Sequence, residues 1–287
     1  TLALKFAGMT WFDSVTQAMS ACATCGFSTK NLSVGFWDSA LIEGILMIAM
    51  TLSAIHFGIL YASMTGRRNN IFRSEVVRAF IGMMVIISVV MSFSLLAEGV
   101  YDNWGESLRH SAFQVVSVTT TSGFATADTI TWTPLAIMLL ILCSVVCGCA
   151  GSTSGGMKVD RVLIASKIIR NRMKVQLHPN AVIRTKVDGM VQDEGVQSLV
   201  MTFIVAYIMT VLLGTIIYTI FGLDVVTSLT ASIACLSNVG PGFGDVGSMD
   251  NFAALPAVLK FNSTLLMLIG RLEIFGFIQL LFIRSWR

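Results

Sequence analysis

Five apolar runs dominate the chain, at 39–64, 79–100, 134–150, 196–221 and 255–283. A helix of about 20 residues crosses the roughly 30 Å of bilayer hydrocarbon, so each run is long enough to span. Only 12% of the 287 residues are charged, 55% are hydrophobic and mean hydropathy is +0.79. Soluble domains carry about a quarter charged residues, so the expected class is an all-α integral membrane protein. The chain opens on TLALKFAGMTWFDS, with no initiator methionine and no basic stretch of a signal peptide, as a fragment of a longer protein would.

Between the runs lie shorter segments rich in Ser, Thr and Gly, and these repeat. SVTQAMSACATCGFSTKN (14–31) aligns without gaps to SAFQVVSVTTTSGFATAD (111–128), with identity at seven of eighteen positions. SLTASIACLSNVGPGFGD (228–245) is a more diverged third copy, with Gly240 in the place of Gly26 and Gly123. Each copy precedes an apolar run, and the second and third also follow one. The implied unit is a helix, a re-entrant pore helix with its loop, and a second helix. Non-spanning backbone is tolerated at membrane depth only where it is buried in protein or lines water. Three units are expected: a partial repeat at 1–66, a complete repeat at 67–192 with a basic cytoplasmic segment, and a complete repeat at 193–287.

Lys and Arg mark the cytoplasmic side. Arg67, Arg68, Arg73 and Arg78 follow the first run, and Lys158, Arg161, Lys167, Arg170, Arg172, Lys174, Arg184 and Lys186 follow the third. Asp102, Glu106, Asp128, Asp245 and Asp250 lie on the opposite side, with Lys30 and Arg109 as exceptions. The basic runs therefore face the cytoplasm, and the Ser/Thr/Gly loops enter from outside. A nucleic-acid interface is a poor reading of basic loops in an integral membrane chain.

A short Thr/Ser/Gly loop at the end of a re-entrant helix can aim backbone carbonyls at a common axis, because glycine accepts the left-handed backbone this needs. Rings of carbonyls replace the hydration shell of a monovalent cation. The negative end of the pore helix dipole favours a cation at the same place. Close helix packing also uses Gly and Ser, but three such loops in register favour a pore.

The loops TCGF, TSGF and NVGP resemble degenerate potassium-channel filters. Together with GCAGSTSGGMKVDRV (148–162), SNVGPGFGDVG and GRLEIF, they make nearly the whole chain similar to the potassium transporter superfamily of TrkH, TrkG, KtrB and fungal Trk, and most of all to its bacterial TrkH members. The resemblance implies four pseudo-fourfold repeats in the complete protein, of which this chain carries the second half of repeat two through repeat four. It also implies potassium as the transported ion, no organic cofactor, a homodimer, multi-pass residence in the bacterial inner membrane, and gating by a cytosolic nucleotide-binding RCK subunit such as TrkA. By matching, the filter positions are Thr24, Cys25 and Gly26; Thr121, Ser122 and Gly123; and Asn238, Val239 and Gly240. Potassium is expected at Thr24, Cys25, Thr121, Ser122, Asn238 and Val239. One glycine per loop implies few ion sites and modest discrimination against sodium. Sodium-coupled or sodium-permeable transport of the Ktr kind is the alternative.

GCAGSTSGG interrupts the expected helix after the second filter, since each helical glycine costs about 1 kcal/mol against alanine. A kink would explain it; the resemblance implies an intramembrane gate formed by Gly148, Gly151, Ser152, Thr153, Ser154, Gly155 and Gly156. No phosphate-loop spacing fits this stretch. Arg271 and Glu273 fall inside the last run, where a charge costs at least about 2.5 kcal/mol and faces the protein interior. The resemblance places Arg271 in the path below the filter; a structural ion pair is the competing reading. Cys22 and Cys25 are spaced like half a metal site without a second pair. Cys143, Cys147 and Cys149 are expected to be buried small residues, and His56 a packing histidine. No Ser/His/Asp constellation supports catalysis, and a non-conducting scaffold remains the other class.

Overall fold

The computed structural model of the chain describes residues 1–287 except 67–70, 181–182, 249–251 and 282–287. Arg67, Arg68, Asp250 and the last two residues of the fifth apolar run therefore lie outside the described residues. The fold is helical, in three successive groups. In the first, α1 (Leu2–Phe6) leads into the pore helix α2 (Trp11–Ala23), followed by α3 (Ala40–Ser53) and α4 (Phe57–Met64). In the second, α5 (Glu75–Ala97) packs along the pore helix α6 (Trp104–Thr119), with α7 (Pro134–Val145) and α8 (Val159–Leu177) behind them. In the third, α9 (Glu194–Ile220) and α11 (Ala257–Arg271) flank the pore helix α10 (Val225–Ser237), and α12 (Phe275–Leu281) follows.

The helix starts are written in the sequence. Thr10, Ser74 and Thr133 each accept a hydrogen bond from a backbone N–H in the first turn of α2, α5 and α7, and Pro134 occupies the first turn of α7. Asp224 caps α10 by accepting from the amides of Val226 and Thr227. Hydrogen bonds from Thr227 hold the Asp224 carboxyl below the usual carboxylate range.

Of the five expected spans, α5 (23 residues) and α9 (27 residues) are unbroken and apolar enough to cross a membrane. Leu199, Leu213 and Ile220 of α9 are exposed, as lipid-facing positions are. The other three runs are each broken. The run at 39–64 bends by 102° between α3 and α4. Its helix stops because the carbonyls at its end are diverted: Ala54 C=O accepts from the Cys149 amide at 2.9 Å, and Ser53 C=O from the Thr153 amide at 3.3 Å. The third run leaves the helix at Val146. There β1 (Val146–Cys147) pairs in parallel with β2 (Met157–Lys158), closing the base of a loop. The fifth breaks after Arg271, where Glu273 (φ 55°) and Ile274 (φ 45°) turn left-handed. So Arg271 ends one helix and Glu273 lies in the break, rather than both riding a single helix. A hairpin of β3 (Lys186–Val187) and β4 (Met190–Val191) ties the basic segment to the start of α5, where the Asp188 carboxylate accepts from the Ser74 hydroxyl at 2.8 Å.

Apolar packing crosses between the groups: Leu46 and Met50 of α3 share one core with Phe113 of α6 and Phe124. An ion pair crosses there too. Arg109 of α6 donates from Nε and one terminal nitrogen to Glu43 of α3, at 2.7 and 2.9 Å, and reaches Asp38 at 2.9 Å. That accounts for Arg109 as an exception on the acidic side, and Lys30 sits 4.9 Å from the centre of the Phe36 ring. Glu43 is only 1% exposed. Arg109→Ala leaves it buried and unpaired, which should lower stability by about 3–5 kcal/mol, read as a drop in detergent melting temperature.

Candidate functional site

Three pore helices end at one cleft of about 640 Å³. Eight of the nine triplet residues line it, and Thr121 is buried just behind. In each triplet the backbone alternates in hand. Thr24 (φ 49°) and Gly26 (φ 69°), Thr121 (φ 58°) and Gly123 (φ 76°), and Asn238 (φ 56°) and Gly240 (φ 108°) are left-handed, while Cys25, Ser122 and Val239 are not. Such alternation turns successive carbonyls to one side, the geometry of a carbonyl ion ladder. The glycines were expected in this conformation; the first residue of each triplet was not.

The loops abut in order. A Cβ on Gly26 would fall 1.9 Å from the Ser122 carbonyl oxygen, and one on Gly123 would fall 2.2 Å from that of Val239. Gly26 and Gly123 thus each make room for a carbonyl of the next loop. A Cβ on Gly240 would meet nothing within 4 Å.

Pore-helix side chains pin the strands leaving the cleft. Gln17 donates to the Ser28 hydroxyl at 2.7 Å, and Ser117 to the Phe124 carbonyl at 2.6 Å. The Thr230 hydroxyl accepts from the Phe243 amide at 3.1 Å. Neighbouring strands are clasped as well: the Ser33 hydroxyl accepts from the Ala125 amide, and the Ser248 hydroxyl accepts from the Thr129 amide. The width of the cleft therefore rests on both a loop's own helix and its neighbour.

Beneath the cleft, the loop at 148–156 touches all three groups. The Gly155 amide donates to the Thr121 hydroxyl at 2.8 Å. The Thr153 hydroxyl reaches the Cys22 carbonyl at 3.3 Å and the Ser53 carbonyl at 3.1 Å, so it is shared between two acceptors. A Cβ on Gly155 would fall 2.2 Å from the Ser237 carbonyl oxygen, at the end of α10. A Cβ on Gly148 would crowd Ser154 Oγ at 2.4 Å, and one on Gly151 the His56 ring at 2.7 Å. His56 does more than fill space: its Nδ1 caps α4 by accepting from the Gly58 amide at 2.9 Å.

Arg271 lines both the upper cleft and a cavity of about 230 Å³ walled by the loop. Its guanidinium donates to the Thr153 carbonyl at 3.0 Å. It forms no ion pair among the described residues; the neighbouring Glu273 pairs instead with Arg161, which lies over the Phe203 ring. Gly270 sets this placement, since a Cβ there would fall 1.8 Å from the Leu236 carbonyl oxygen. The sequence reading passed over Gly270, although it stands in the GRLEIF run. It placed Lys158 in the basic cytoplasmic run and gave it no part in the site. All six cysteines are free, with Cys22 and Cys25 exposed and the other four buried, and no group of three or more His, Cys, Asp or Glu could hold a metal among the described residues.

Re-entrant helices, alternating-hand loops at a shared cleft and broken helices below them define a pore-loop membrane protein. The chain belongs to the TrkH family of cation transport proteins, whose sequence model matches residues 7–285. It is 36% identical over 288 residues to the Trk system potassium uptake protein TrkH of Salmonella typhimurium and 32% identical to TrkG of Escherichia coli K12. All of this chain aligns with the former and 99% with the latter, covering 59% and 58% of those proteins. The crystal structure of the potassium transporter TrkH from Vibrio parahaemolyticus superposes with a TM-score of 0.92 at 33% identity, over 100% of this chain and 61% of that one. The chain thus spans about 59% of the length of its relatives.

Proposed function

We propose that this chain forms part of a membrane protein that takes up potassium, conducting it through backbone carbonyls of the three triplets and gating it with the loop at 148–156 and Arg271. Potassium contacts are assigned to the carbonyls of Thr24, Cys25, Thr121, Ser122, Asn238 and Val239. The units at 1–66, 67–192 and 193–287 are its pore repeats. The observation that carries the reading is the order of the loops, Gly26 seating the Ser122 carbonyl and Gly123 that of Val239, above a polar loop that crosses the space below. Relatives named as potassium uptake proteins support the ion, and their Trk system designation supports a regulatory partner. A homodimer, a cytosolic nucleotide-binding subunit and residence in the inner membrane belong to the same proposal. Conduction needs no catalytic group.

The test is ion flux by the full-length protein in liposomes, comparing potassium, rubidium, sodium and lithium. Potassium and rubidium should pass faster than sodium and lithium; equal passage of all four removes the filter assignment. Deleting part of 151–156 should raise basal flux while leaving the rubidium-to-sodium ratio unchanged. Lost flux in a folded deletion protein would make the loop structural instead.

A further inference from the structure

We propose that Lys158 is a second positive charge holding the intramembrane loop in place, acting through both the carbonyl and the hydroxyl of Ser154. This rests on the reading of the loop as a gate. Lys158 closes the base of the loop in β2, opposite Cys147 of β1, and only 6% of it is exposed. Its ammonium donates to the Ser154 carbonyl and, at 3.2 Å, to the Ser154 hydroxyl. That hydroxyl lies 2.8 Å from the Ser152 hydroxyl, which donates its one hydrogen to the Cys149 carbonyl at 2.6 Å. Ser152 Oγ must then accept from Ser154, and Ser154 Oγ must accept from lysine. The chain runs in one direction, from ammonium to Ser154, to Ser152, to Cys149. It laces the loop from its exit back to its entry, and it begins at a charge, which strengthens the first bond.

The arrangement also concerns the ion. Arg271 occupies the carbonyl of Thr153 and Lys158 that of Ser154, so two successive carbonyls of the loop that walls the cavity are held by fixed cations. Neither cation forms an ion pair with a carboxylate among the described residues; Glu273, on the same cavity, is engaged by Arg161. A permeating cation must displace these contacts and pass two fixed positive charges. Removing the lysine charge loosens the loop and frees a carbonyl for the ion. Lys158 is a positioning residue, since it acts through Ser154.

The experiment measures rubidium flux, the rubidium-to-sodium ratio and the detergent melting temperature for the full-length protein in liposomes. Lys158→Met should raise basal flux about tenfold or more, since it removes both hydrogen bonds from the ammonium to Ser154 in the closed arrangement. Lys158→Arg should stay close to wild type because the charge and donors remain, and the ratio should be unchanged in both. Ser154→Ala, which removes the hydroxyl relay and keeps the carbonyl, should raise flux by a smaller factor. Wild-type flux in Lys158→Met beside raised flux in Arg271→Ala overturns the role of Lys158 and leaves the gate standing. No rise in either variant or in the loop deletion overturns the gate reading itself. Equal rises in the Met and Arg variants make the role one of shape, not charge, and also overturn it. Should Lys158→Met fail to fold, Ser154→Ala and Ser152→Ala decide: wild-type flux in both refutes the lacing.

Discussion

Gly123→Ala should lower the rubidium-to-sodium flux ratio by about tenfold or more, bringing it towards one. Two effects act together. The left-handed backbone costs a residue with a Cβ about 1–2 kcal/mol. The added carbon would also stand 2.2 Å from the Val239 carbonyl oxygen, a contact that forces one loop to move. The oxygen displaced belongs to the neighbouring triplet, so one methyl group disturbs two walls of the cleft. Gly82→Ala, in α5 where a Cβ meets nothing within 4 Å, is the control and should leave the ratio unchanged. A wild-type ratio in a folded Gly123→Ala protein would remove this loop from the filter.

Arg271→Ala should raise potassium flux by about tenfold, because a fixed positive charge on the path repels the permeating cation. Arg271→Lys should keep most of the barrier. The structure sharpens the comparison with an ion-pair role. Arg271 makes one hydrogen bond to a carbonyl and no ion pair among the described residues. Its loss should therefore cost only about 1.5–3 kcal/mol of stability, below the 3–5 kcal/mol of a broken buried pair. Flux per folded protein and melting temperature, measured on wild type and both variants, separate the two: slow flux with a sharply lower melting temperature refutes the pore role.

The triplets and the loop at 148–156 were legible because their signals are local and repeated: a glycine at one register in three copies, and four glycines in nine residues. The left-handed threonines were not. Thr24 and Thr121 are β-branched and resist φ above zero, so propensity argues against the conformation they adopt. Thr121 is over-determined by its surroundings, by the Gly155 amide on its hydroxyl and by the Val118 carbonyl that receives its own amide. The breaks at 54–56 and 272–274 were also hidden, since MTLSAIHF and GRLEIF carry no proline and read as continuous helix. What stops those helices comes from elsewhere in the chain: Cys149 and Thr153 on the carbonyls of α3, and Arg161 on Glu273. Arg161 and Lys158 looked like ordinary members of a cytoplasmic basic run, and only the fold turns them inward.

The break in the third apolar run has a mechanical consequence. With 19 residues, α8 is a rod about 28 Å long that begins where the loop ends. A tilt of about 5° at that joint sweeps its far end by roughly 2.5 Å, so a modest push at the cytoplasmic tip arrives at the loop with a leverage gain. The filters hang from their pore helices and from the clasps between neighbouring strands, none of which belongs to that rod. On the proposed reading, torque applied from the cytoplasm reaches the loop first, and the hydrogen bond from the Gly155 amide to Thr121 is where that motion meets a triplet.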